Sequence, residues 1–535
     1  MAGIKKISIE RANFPEEAGV SSNVVADFIE DLKKSNIETH SIMILRHGKV
    51  AFESWSEPYE PDIPHTMYSV SKSFTSTAIG FAIEESLLSL QTRVIDMFPE
   101  FKPKKKDENL EKLTVFHLLT MTAGKNVSLL ADKTKNRWIQ DFFDAKWAFA
   151  PGESWFYISE NTYILSEILT RVTRMSLTEY LTPRLYEPLG FGRVPFWEKN
   201  GNGVEAGGWG LFITTEELAK FMLCYSQGGV FNGKQVIPAK WARDAVEKQV
   251  ENHQYTELAN TSGYGYCIWR NPMDDSYRAD GFFSQFGAVF EKYDALLVMT
   301  AAEIDEEKSR DCIWRHFPKA FFDERTESNI ITAPEVKPAL KPLPDLPALP
   351  RSGLETKISG KTLKIKTNRF LHLMGFPMSM LNLAVIYMSA EKAGNIDDVK
   401  FEFSENECSM SWGEGKYKNT IICGMDGKTR KSQIRLAGFD LTASSTAAWE
   451  SENTLNVWMR PLESLGQRRM RFVFNGKNVK IYPSSCPDTQ EMLNSLSDGV
   501  GLFIKLPALV VILKAALQRA GRIIEPKHRG RIKMQ

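Results

Sequence analysis

The stretch HTMYSVSKSFTSTAIGFAIEE, residues 65–85, decides the reading of this chain. From Ser69 onward it carries apolar residues at helical spacing and contains Ser69-Val70-Ser71-Lys72 at its start. A three-residue separation puts Ser69 and Lys72 on one helix face, with Ser69 at the N-terminal end, where the helix dipole favours developing negative charge. A serine hydroxyl is a poor nucleophile until a base takes its proton, and a lysine in a dry pocket can have its pKa lowered enough to help. Ser-x-x-Lys also arises by chance. It recurs at Ser389-Ala-Glu-Lys392, which is read as coincidence.

Other catalytic signatures are missing. The sequence has no H-E-x-x-H, its 8 histidines are scattered, and no G-x-S-x-G elbow is present, so neither zinc nor an α/β-hydrolase is indicated. The glycine-rich run Gly228–Lys234 ends in Gln235, where a phosphate-binding loop needs Ser or Thr, and reads as a hairpin turn. His117 reads as a helix cap or packing residue, and Arg46-His47-Gly48 as a turn between two strands.

The surroundings of Ser69 fall into a recognisable order. HTMYSVSKSFTSTAIGFAIEE is followed by TVFHLLTMTAG (114–124), PGESWFYISENTYILSEIL (151–169), AGGWGLFITTEELAKFM (206–222) and YGYCIWR (264–270). Over roughly residues 10–320 these phrases resemble the serine β-lactamase and penicillin-binding-protein superfamily, especially its class C-like esterase and peptidase branch. The resemblance implies an α+β fold: an antiparallel sheet flanked by helices, plus an all-α subdomain, with the active site between them.

By that resemblance Ser69 is the acylated nucleophile and Lys72 its partner. Tyr157-Ile158-Ser159 matches the Tyr-x-Asn or Tyr-x-Ser element, making Tyr157 base toward Ser69 and acid toward the leaving group. Ser159 is a hydrogen-bond donor to Lys72 or substrate. The third element, Lys-Thr-Gly or a His variant on an edge strand, departs from the pattern: Ala279-Asp280-Gly281-Phe282-Phe283-Ser284-Gln285 has no cation. Its backbone should still complete an oxyanion hole with the Ser69 N–H, through Phe282 or Phe283. Losing the strand cation argues against efficient β-lactam or D-Ala-D-Ala recognition. Asp280 is either a contact for an amine-bearing substrate or a solvated turn carboxylate. Trp209 either lines the cleft or packs in the core.

The Pro-rich run APEVKPALKPLPDLPALP (333–350) marks a boundary, because fixed φ and missing N–H groups exclude helix and central strand. The chain divides into a hydrolase domain over 1–330, a linker over 331–352, a β-rich barrel or sandwich over 353–490, and an apolar, basic helical tail over 491–535. The tail has two readings: packing on the β-domain or a homodimer contact, which is preferred, and contact with an anionic membrane surface. Lys505, Pro507 and Lys514 argue against a membrane span.

Composition bounds the rest. The 535 residues carry 67 Lys+Arg against 66 Asp+Glu, which excludes a nucleic-acid binder acting through overall basicity. Without a secretory h-region and with 6 dispersed cysteines, the expected location is the cytoplasm, with or without peripheral membrane contact. The expected function is a serine hydrolase cleaving a small-molecule ester or amide through an acyl-enzyme, esterase-like, needing no metal or organic cofactor. The alternatives are an amidase or D-aminopeptidase-type peptidase, and a catalytically weak membrane-associated binding protein.

Overall fold

The computed structural model describes residues 4–101, 107–125, 136–252, 260–273, 275–323, 338–367, 377–382, 385, 391, 393–492, 494 and 525–533. Two compact units emerge, Met1–Lys341 and Pro342–Gln535.

The first unit is built on a six-stranded antiparallel sheet. Its strands are β1 (Thr39–Arg46), β2 (Lys49–Trp55), β3 (Trp269–Arg270), β4 (Ser276–Gly281), β5 (Gln285–Phe290) and β6 (Ala295–Ala301), in the order β2-β1-β6-β5-β4-β3. The β1–β2 hairpin turns at His47 and Gly48, both with positive φ, so that its twist follows that of the strands. β1 is buried along its whole length because helices cover both faces of the sheet.

On one face lie α1 (Ser22–Lys34), started by the Ser21 side chain accepting from the Val24 N–H, and, from the far end of the unit, a helix over Glu306–His316. Phe28 and Leu32 of α1 meet Ile42 and Ile44 of β1, Phe286 and Ala288 of β5, and Cys312 and Ile313 in one apolar core. On the other face the helix Thr215–Ser226 packs on β5, where Gly287 makes room for Leu218 and Met222.

The helix expected from the opening stretch is present. A 3-10 turn over Tyr68–Val70 runs into α2 (Ser71–Glu84), whose side chains are buried from Ser71 to Ala82. A helix buried all round has no amphipathic stripe, and α2 packs against α3 (Ser159–Thr173). In chain order the two sheet-covering helices are α4 (Thr215–Ser226) and α5 (Glu306–His316). His117 closes a capping box with Thr114, and the glycine-rich run turns the hairpin Val230–Phe231/Lys234–Gln235.

The second unit is a closed nine-stranded β-barrel with a tenth strand alongside. Eight antiparallel pairings run in order through strands Tyr417–Gly424, Glu407–Glu414, Ile396–Phe403, Thr362–Lys366, His528–Ile532, Asn478–Cys486, Gln467–Asn475, Thr454–Pro461 and Phe439–Ser451. The ring is sealed where Gly424 pairs in parallel with Thr446, while Arg430–Leu436 adds to the Phe439–Ser451 strand. Strict alternation of burial along Glu407–Glu414 turns Cys408, Met410, Trp412 and Glu414 inward.

His528–Ile532 corrects one expectation: this piece of the basic tail is a barrel strand, paired on both sides. The apolar part of the tail, residues 499–517, and the second Ser-x-x-Lys at 389–392 lie outside the described residues in whole or in their key positions. Among the described residues no helix is long and apolar enough to cross a membrane.

Candidate active site

Ser69 sits in the 3-10 turn just ahead of α2, and the residue before it is held in an unusual backbone conformation. Tyr68 has φ +43°, a region that side chains with a Cβ seldom enter. Its ring is packed against Phe283 at 5.2 Å and Phe282 at 6.3 Å between centroids, so aromatic contacts hold the turn that presents Ser69.

Lys72, one turn on, is 1% exposed. Its Nζ lies 2.8 Å from Ser69 Oγ, 3.0 Å from Ser159 Oγ and 2.7 Å from the Gly208 carbonyl oxygen. Ser159 opens α3 and Gly208 belongs to the loop entering the Leu211–Ile213 strand, so three separate segments converge on one ammonium group. The loop approaches α3 closely. A Cβ at Gly208 would fall 2.7 Å from Thr162 Oγ1 and 2.8 Å from the Ser159 carbonyl oxygen, which is why glycine stands there. Burial pulls the Lys72 pKa down to about 7, against the opposing pull of Cys267 and Glu160.

Tyr157 presents its ring 4.9 Å from Lys72 Nζ. Behind it stand three mutually packed rings: Trp269 at 5.3 Å, Trp155 at 6.0 Å and Tyr264 at 6.3 Å from the Tyr157 centroid. The end of β4 closes the other side. A Cβ on Gly281 would lie 2.4 Å from the Met67 carbonyl oxygen and 3.2 Å from the Ser69 nitrogen, so the strand touches the turn where only glycine fits.

Beyond Gly281 the chain turns through Phe283 and Ser284, both at positive φ. Gln285 Nε2 holds this turn from beneath by donating to the Phe283 and Ala301 carbonyls at 3.0 and 2.8 Å. The Phe283 N–H donates to Glu306 Oε1 at 3.2 Å, whereas the Phe282 N–H has no partner among the described residues. Of the two donors left open by the sequence, Phe282 is the one available.

One sequence expectation, for Asp280, needs correction, and the two readings of Trp209 are decided in favour of packing. Asp280 neither lines the cleft nor is a solvated turn carboxylate. It lies within β4, 9% exposed, and its Oδ2 accepts from Arg278 Nε at 2.7 Å and Arg310 Nη1 at 3.4 Å. Alternation along a strand puts it on the face opposite Gly281 and Ala279. Trp209 is buried with its ring 5.1 Å from that of Trp138, a packing role. Gly208 through its carbonyl, Gln285, Glu306, Arg310 and the Trp155–Tyr264–Trp269 rings were not foreseen. Among the described residues no cluster of His, Cys, Asp and Glu is arranged to hold a metal.

A serine hydrogen-bonded to a buried lysine of lowered pKa, with a tyrosine ring beside it, is a combination that acyl-transfer chemistry can use. The sequence pattern of the Beta-lactamase family matches residues 25–313, more than half of the chain, and the protein belongs to that family. The matched residues fall within the first compact unit, Met1–Lys341.

Among curated relatives it is similar to the protein flp of Staphylococcus aureus strain MW2, 29% identical over 185 residues. That match covers 32% of this chain and 37% of the relative, so the chain spans little more than a third of that relative's length. Similar solved structures include a family VIII carboxylesterase, at 18% identity, TM-score 0.44, and coverage of 55% of this chain and 97% of that one. A D-stereospecific amidohydrolase from Streptomyces sp. gives 14% identity, TM-score 0.44, and coverage of 56% and 99%.

Proposed function

We propose that this serine hydrolase cleaves an uncharged ester, and an amide less readily, through an acyl-enzyme on Ser69. The observation that carries the reading is the set of partners around Lys72. A carbonyl oxygen only accepts, so Gly208 must receive one N–H. A lysine with pKa about 7 is largely neutral at slightly alkaline pH, with two N–H groups and one lone pair. Donating to Gly208 O and Ser159 Oγ leaves the lone pair facing the Ser69 hydroxyl, 2.8 Å away. Lys72 is then the base toward Ser69, a role the family resemblance implied for Tyr157, and its pKa of about 7 suits a general base near neutral pH.

Ser69 Oγ bonds to the substrate carbonyl carbon as its proton passes to Lys72 Nζ. The carbonyl oxygen gains the negative charge and accepts from the N–H groups of Ser69 and Phe282. The new ammonium lies against the Tyr157 ring, which stabilises it in a dry setting by about 1–2 kcal/mol. The proton then travels through Tyr157 to the departing oxygen or nitrogen, and the acyl–Ser69 ester forms. Water attacks that ester as Lys72 takes its proton; the tetrahedral intermediate then breaks its bond to Ser69 Oγ, which recovers the proton from Lys72, and the acid leaves.

An uncharged acyl group suits a site beside the Tyr157 ring, with Ala279 at the position where the family resemblance implies a cation. A test compares a p-nitrophenyl ester with the matching p-nitroanilide, on wild type and Ser69→Ala. The reading expects ester turnover well above anilide turnover, both lost in Ser69→Ala; turnover surviving in that variant would refute it.

A further inference from the structure

Arg278 takes no part in the chemistry above, yet it touches both halves of the apparatus. It is a fully buried guanidinium on β4, two residues before Asp280. Nε donates to Asp280 Oδ2 at 2.7 Å, Nη1 to Asn271 Oδ1 at 2.9 Å and to the Arg270 carbonyl at 3.2 Å, and Nη2 to Asn260 Oδ1 at 2.8 Å. Its Cζ also lies 5.3 Å from the centre of the Trp269 ring, the residue opposite it in the β3–β4 register.

Two of these contacts, to Asp280 and to Trp269, lead to elements of the site. Asp280 precedes Gly281 and Phe282, and its second cation, Arg310, also bonds Glu306, which holds the Phe283 N–H. Trp269 supports the ring of Tyr157. The tyrosine segment and the strand lie more than a hundred residues apart in sequence.

We infer that Arg278 is a positioning residue that fixes the oxyanion strand and the Tyr157 ring relative to each other from behind the site. This rests on the hydrolase reading above. A planar fork that bonds three side-chain oxygens and stacks on an indole specifies distance and angle together, which lysine cannot reproduce. A buried charge kept for stability alone is commonly replaceable by well-packed apolar groups, so the informative readout is catalytic.

The test uses the full chain with Arg278→Lys and the single-arm variants Asp280→Asn and Asn260→Ala, beside Arg46→Lys. Arg46 is an equally buried arginine at the opposite end of the sheet, bonded to the Gly19 and Phe322 carbonyls. Steady-state ester hydrolysis and the rate of fluorophosphonate capture are measured together with Tm. The expected result for Arg278→Lys is a 10- to 100-fold fall in kcat with KM within about threefold, and an equal fall in capture rate. The single-arm variants should fall several-fold, while Arg46→Lys lowers Tm and leaves kcat unchanged. Wild-type kcat and capture rate in the single-arm variants and in any folded Arg278→Lys, with only Tm reduced, would overturn the inference. A wild-type protein that neither hydrolyses the ester nor takes up the probe would instead overturn the hydrolase reading, and this inference with it.

Discussion

The Lys72 ammonium nitrogen lies 2.7 Å from the Gly208 carbonyl oxygen, an acceptor that cannot donate in return. That contact orients the lysine: with one N–H committed to Gly208 and another to Ser159, the remaining position faces Ser69. Catalysis should therefore follow the protonation of Lys72. As burial holds its pKa at about 7, kcat/KM is expected to rise with pH through about 7, tenfold per unit below it. A profile flat from pH 5 to 9 would contradict this assignment.

Lys72 also links function to stability. Its folded pKa is below the unfolded value of 10.5, so between about 7 and 10.5 the unfolded chain binds a proton that the folded chain does not. Stability from this group is present above 10.5 and is lost as pH falls through that window. Lys72→Met should abolish turnover by about three orders of magnitude. Its Tm should exceed that of wild type most at pH 7, with the difference closing toward pH 10. Thermal melts across that range check it.

Gly281→Ala places a methyl 2.4 Å from the Met67 carbonyl oxygen, a backbone atom that cannot swing aside. The strand must withdraw, and the Phe282 N–H withdraws with it. Removing one oxyanion donor typically costs about 10²–10³ in kcat. We expect a loss of that size in kcat, with KM little altered, measured with the p-nitrophenyl ester.

In the barrel unit, Glu414 is 2% exposed and accepts from the Ser379 hydroxyl, the Met380 N–H and Trp412 Nε1–H. Burial outweighs these donors and pushes its pKa up to about 7 from 4.5. A raised carboxyl pKa gives stability that is complete below 4.5 and lost as pH rises through 7, on the order of 3 kcal/mol. Glu414→Gln should flatten the dependence of barrel unfolding on pH between 4.5 and 7, followed by Trp412 and Trp449 fluorescence in the full chain.

Some of the site could be read from residue order. The Ser69–Lys72 spacing needs only helical periodicity, and the His47-Gly48 hairpin only local turn chemistry. Asp280 was misread although the signal was there: residues 279 and 281 share a strand face, so 280 must point the other way. The Gly208 carbonyl is a backbone atom and leaves no mark on a sequence, and Glu306 reaches the oxyanion turn only through tertiary packing of α5. Barrel and sandwich were indistinguishable because one closing pair, Gly424 with Thr446, makes the difference. His528–Ile532 hid as a strand because it carries basic residues on a barrel exterior, without the apolar alternation that marks its neighbours.

The most direct test of an activated Ser69 is intact-mass spectrometry after exposure to a fluorophosphonate probe, on wild type, Ser69→Ala and Lys72→Met. A single adduct on wild type, absent from Ser69→Ala and strongly slowed in Lys72→Met, is the expected result. No adduct on wild type, or an adduct persisting in Ser69→Ala, would contradict it.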